Sequence, residues 1–152
     1  MYDPTMTNRA REELRAAYTR AIYRADLEPE PVYLRVGEPS PALDRWLAAQ
    51  AARCFAFLSA ANPGSVPLSD RENLLRSERL VARLREDGRV FERGESYEAA
   101  SGGWREASLL VCGIERQAAI ALARDFGQVA LLLGEAGAAV ELVFTAAATK
   151  ES

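Results

Sequence analysis

Short apolar runs alternate along this chain with stretches whose apolar residues recur every three or four positions, and that alternation limits the folds open to it. The runs CFAFLS (54–59), SLLVC (108–112), VALLL (129–133) and VELVF (140–144) have the length and composition of strands. Between them lie amphipathic helices. From Thr7 to about Arg24, Leu14, Tyr18 and Ile22 recur every four residues beside Ala17 and Ala21, which predicts a first helix. Val32, Leu34 and Val36 then alternate with Tyr33 and Arg35 as a short strand ending at Gly37. Pro41 opens a second helix over about 41–52, with Leu43, Trp46 and Leu47 facing inward. Ser69 and Glu72 form a capping-box pattern, so a third helix is predicted from there to about Glu86, before Gly88.

Residues 89–103 read as a weak strand followed by a polar, glycine-containing loop, and a clear strand then runs to Cys112. A fourth helix over 115–126 ends at the C-cap candidate Gly127, and the last two strands form a hairpin. Strands joined through helices favour parallel neighbours. The expected fold is therefore a single α/β (α+β) domain over 1–146. It has a mixed, mostly parallel sheet packed with about four helices, a C-terminal β-hairpin, and a frayed tail at 147–152.

Residue usage excludes several chemistries. The chain has no histidine, which removes imidazole bases and imidazole metal sites, and its single lysine, Lys150, is in the tail. Cys54 and Cys112 each lie in an apolar run without CxxC spacing, so buried reduced thiols are expected. A net charge of −3 argues against nucleic-acid binding through phosphates. No run approaches a membrane span, and MYDPTMTNRAREEL has no apolar signal region. A cytoplasmic address with no membrane contact, no metal and no cofactor is the expectation.

The stretch FLSAANPGSVPLSDREN (57–73) concentrates polar side chains where a strand passes through a loop into a helix. Such a junction is a favoured place for a ligand, including an anion at the helix N-terminus. Ser59, Asn62, Ser65 and Asn73 are the candidates there. Capping and turn geometry explain part of the same pattern. Asn73 shares a helical stripe with Ser77, Leu80 and Leu84, so its amide points inward and needs a partner, with the loop at Asn62 within reach.

In WREASLLVCG, strand alternation places Glu106 and Ser108 on the face of Leu110 and Cys112. A carboxylate there needs a partner or a function, and Arg71, Arg76 and Arg105 are possible ion-pair partners. Gln128 sits between a helix C-cap and a strand and can reach the same region.

These residues carry a resemblance. The patterns Ala17-Tyr18-x-x-Ala21-x-Tyr23, Ser59-Ala60-x-Asn62-Pro63-x-Ser65, Asn73, Trp104-x-Glu106-x-Ser108 and Phe126-x-Gln128-x-Ala130 resemble a family of small bacterial proteins called domain of unknown function 3293. The chain departs from that pattern at Ala61, where an aromatic is common, and at Val129, where an asparagine is common. If the shared polar positions line one pocket, the resemblance implies that Ser59, Asn62, Asn73, Glu106 and Gln128 are its walls.

Three readings follow. The first is a domain binding a small polar or anionic ligand through Ser59, Asn62, Ser65, Asn73, Ser108 and Gln128. The second is a protein-interaction module in which these residues brace the fold and Tyr2, Tyr23 and Tyr97 face a partner. The third is a histidine-free enzyme with Glu106 as the catalytic acid or base.

Overall fold

The computed structural model describes residues 6–98, 104–146 and 148–149. The chain runs β1 (Met6–Thr7), α1 (Asn8–Arg20), β2 (Ala21–Ala25), β3 (Val32–Leu34), α2 (Pro41–Ala49), β4 (Cys54–Ser59), a 3-10 turn (Pro63–Ser65) and α3 (Asp70–Glu86). It continues with β5 (Val90–Glu98), β6 (Arg105–Cys112), α4 (Arg116–Asp125), β7 (Ala130–Glu135), β8 (Glu141–Phe144) and β9 (Ala148–Thr149).

Among the described residues the main sheet has seven strands in the order β3-β2-β5-β6-β4-β7-β8. Every pairing in it is antiparallel, and the sheet curls into a half-barrel. The expectation of a mostly parallel sheet is thereby corrected. Each helical crossover does return the chain in the same direction, from β4 through α3 to β5 and from β6 through α4 to β7. The two units interleave, however: β6 lies between β4 and β5, and β4 lies between β6 and β7. Each neighbour thus comes from the other unit and runs the opposite way. A separate parallel pair joins β1 to β9. Apart from Ala148 and Thr149, the tail expected at 147–152 lies outside the described residues, as does the 99–103 part of the expected polar loop.

Two element boundaries also differ from the sequence expectation. The first helix stops at Arg20, and Ala21–Ala25 forms β2, with Ala21, Tyr23 and Ala25 buried between the partner strands β3 and β5. AIYRA satisfies helical and alternating patterns equally, and strand pairing on both sides decides between them. The polar segment after Arg89 extends as β5 through Glu98, because β2 and β6 bond both of its edges. Gly94 is required there: a side chain would run into the Arg24 carbonyl and approach the Phe57 ring.

Helices cover both faces of the sheet. On one face Leu80, Val81 and Leu84 of α3 and Ala119, Leu122 and Ala123 of α4 are buried against Ala56, Leu58, Leu109, Val111, Leu131 and Leu133. On the other, Leu43 and Leu47 of α2 join Tyr23, Phe55, Phe57, Leu110 and Leu132, with Leu14 and Tyr18 of α1 packed at the margin. No residue of α1 is itself buried. Curling brings the chain after β3 to the β7–β8 turn, where Gly37 N–H donates to the Val140 carbonyl (2.8 Å) and Val140 N–H to that of Glu38 (3.0 Å).

Candidate functional site

The expected capping box is present at the start of α3, with the Ser69 hydroxyl accepting from Glu72 N–H (3.1 Å) and Glu72 reaching back to Ser69. Between it and β4, the loop turns through left-handed geometry at Asn62 (φ 48°), Gly64 (φ 65°) and Ser65 (φ 62°). Asparagine tolerates that conformation better than most side chains. The loop then docks on the end of α4: Gly64 N–H donates to the Gly127 carbonyl (2.7 Å). Gly127 itself has φ 69°, and a side chain there would meet Pro63.

Asn62 is the centre of the polar network. Its Oδ1 accepts from Leu68 N–H and from Asn73 Nδ2, both at 2.9 Å, and its own N–H donates to Asn73 Oδ1 (2.9 Å). With its oxygen so engaged, the Asn62 amide directs Nδ2 at Glu106 Oε2, 2.8 Å away. Arg76, one turn along from Asn73, donates to the carbonyls of Ala60 (2.6 Å) and Phe126, holding the loop from below. Gln128 Nε2 donates to the Ala61 carbonyl (2.9 Å) and more weakly to that of Phe126 (3.3 Å).

Above this network lies a cleft of about 340 Å³ bounded by Asn62, Ser65, Glu106 and Gln128 with Leu14, Ala17, Tyr18, Ala61, Pro67, Trp104 and Val129. Its size falls in the range of small-molecule sites. A smaller void of about 20 Å³ adjoins it beneath Tyr18, Trp104, Glu106 and Gln128, and Ser59 and Ser96 line that void.

Of the residues singled out from the sequence, the structure therefore brings Asn62, Ser65, Glu106 and Gln128 to the cleft and Ser59 to the void beside it. Ser59 accepts from Ala61 N–H (2.9 Å). Asn73 stands behind Asn62 as its amide partner, and Ser108 is buried against the Ser96 hydroxyl (2.7 Å). Tyr23, read as a partner-facing aromatic, is instead 2% exposed and donates its hydroxyl to the Tyr18 carbonyl (2.7 Å). Tyr97 is half-buried beneath the Arg105 guanidinium, and Tyr2 lies outside the described residues. Sequence reasoning did not mark Leu14, Ala17 or Pro67 as walls, nor Arg76 as a brace. The i, i+3 spacing of Asn73 and Arg76 was the available signal for the latter.

Glu106 has no ion pair among the described residues. Arg105 turns to Glu95 (2.6 Å), and Arg76 is held by carbonyls. Burial raises the Glu106 pKa above the usual carboxylate range, and the Asn62 hydrogen bond offsets this in part. Burial likewise pushes the nearby Tyr23 hydroxyl well up, with the Tyr18 and Glu106 charges adding to it. Among the described residues no three Cys, Asp or Glu side chains converge as a metal site would need. No helix among them is long and apolar enough to cross a membrane.

Residues 58–131 match the family model described as Protein of unknown function (DUF3293). This segment belongs to that family. The DUF3293 match runs from the end of β4 into β7, so it contains Asn62, Asn73, Trp104, Glu106 and Gln128. The walls from α1, Leu14, Ala17 and Tyr18, lie before it. No curated protein and no solved structure matches the chain.

Proposed function

We propose that this protein binds a small polar organic molecule in the cleft between α1 and the 60–69 loop, with Glu106 as its principal contact and Asn62, Ser65 and Gln128 as polar neighbours. One observation carries the reading: the half-buried Glu106 carboxyl borders the cleft with the Asn62 amide as its hydrogen-bond partner and, among the described residues, no cation beside it. A carboxylate partly withdrawn from water without a counter-charge destabilises the fold that holds it. Stability given up in this way is a recurrent mark of functional sites. The amide network behind Asn62 supports the same reading, because it fixes the orientation of the amide that hydrogen-bonds the carboxyl.

A fragment screen followed by amide NMR shifts tests this. Fragments of at least one charge class are expected to shift the amides of residues 61–62, 64–65, 104–106 and 128–129. A screen in which cationic, neutral and anionic fragments all leave those amides unmoved would sink the proposal.

A further inference from the structure

Resting on that reading of the cleft, we infer that its ligand is an organic cation: an ammonium or amidinium group on a flat, largely apolar body, with the charge at Glu106 and the body between Tyr18 and Trp104. Charge comes first. Among the described residues bordering the cleft, Glu106 is the one acidic side chain and none is an arginine or lysine. An anion placed there would meet a carboxylate and no counter-charge. A cation would meet a carboxylate in partly desolvated surroundings, where charge-assisted hydrogen bonds are strongest.

Geometry assigns the contact atom. Glu106 Oε2 is held by Asn62, while Oε1 accepts from no described residue and is not sealed away from the surface. The Asn62 oxygen is already occupied by Leu68 N–H and Asn73, so Asn62 cannot turn round to offer an acceptor instead of a donor. The carboxyl is thus presented in one orientation.

The walls select the rest of the molecule. Leu14, Ala17, Pro67 and Val129 are apolar, and Tyr18 and Trp104 add two aromatic rings. Aromatic faces attract cations as well as flat apolar groups. A volume of about 340 Å³ accommodates one ring with a short arm.

Phenethylamine, 2-phenylethanol and phenylacetate share one body and differ in the charge they bring, so they form the test set. Affinities for the full chain are read by titration of amide shifts at low ionic strength. Phenethylamine is expected to bind most tightly, and E106Q is expected to weaken it by about tenfold or more. E106Q retains an acceptor for Asn62, and its amide spectrum checks that the fold persists. Should that variant fail to fold, the parent alone still decides, because amine affinity must fall with added salt while alcohol affinity does not.

Phenylacetate binding in the cleft as tightly as the amine, or amine binding that ignores salt or E106Q, would overturn the cation assignment and leave the cleft reading standing. Absence of any shift with all three probes up to about 10 mM would also overturn it. The broader fragment screen then decides separately whether the cleft binds anything.

Discussion

The two faces of the sheet are covered in different ways. Under α3 and α4, leucine, valine and alanine side chains from helix and strand are buried together, and Leu84, Ala119 and Ala123 have no exposure at all. On the other face α2 buries Leu43 and Leu47, but α1 buries nothing completely. Its Arg11 and Arg15 lie over the Phe144 ring, at 4.6 Å and 5.2 Å, and its Leu14 and Tyr18 border the cleft. The lesson is that the hollow arises where a helix covers the sheet incompletely. The polar network sits beneath it because the ends of β4 and β6 there carry Ser59, Glu106 and Ser108 in place of the phenylalanines and leucines farther along the same strands.

Truncations on the two faces should differ most of all. Leu84→Ala removes a fully buried side chain and is expected to lose about 2–5 kcal/mol in urea unfolding. Leu14→Ala on the cleft side should lose less than about 1 kcal/mol, since its side chain already borders open space. Equal losses would break the comparison.

Next in size is Asn62→Ala, which strips three side-chain hydrogen bonds and leaves a non-glycine residue at φ 48° without the asparagine's compensation. A loss of about 2–3 kcal/mol is expected, read by the same unfolding midpoint. Asn62→Asp would sharpen the point by setting a second carboxylate against Glu106.

Glu106→Gln should act in the opposite direction. With its pKa raised in the folded state, Glu106 holds its proton more firmly folded than unfolded. Stability therefore falls as pH rises from the usual carboxylate pKa through the raised one, and stays lower above it. Glutamine cannot ionise and still accepts from Asn62. The melting temperature of E106Q should exceed the parent's by a few degrees at neutral pH, and the gap should close below about pH 4. A lower melting temperature at neutral pH would mean that the carboxylate braces the fold.

The smallest effect belongs to Ser65→Gly. Ser65 is exposed at φ 62°, and glycine relieves that geometry, so a gain below about 1 kcal/mol is expected in thermal unfolding.

Much of the candidate site is legible in the sequence. A carboxylate alternating with leucine and cysteine in a buried strand, and an amide on the apolar stripe of a helix, are conflicts within a local pattern, and such conflicts mark places that need a partner. Glu106 and Asn73 stand out that way, and Asn62 as the polar loop residue within reach of Asn73. Leu14, Ala17 and Pro67 break no rule. They become walls only because α1 and the loop after β4 meet over the same strands.

What the sequence determined by itself was the identity of most elements: the capping box that starts α3, the glycine that ends α4, the apolar strands and the final hairpin. These rest on contacts within a few residues of one another, which periodicity records directly. The tertiary structure alone decided that Ala21–Ala25 is a strand, that β5 extends through Glu98, and that every strand in the main sheet meets an antiparallel neighbour. Backbone hydrogen bonds between strands are made by groups that all residues except proline carry in full, so the sequence holds almost no record of which strand lies beside which.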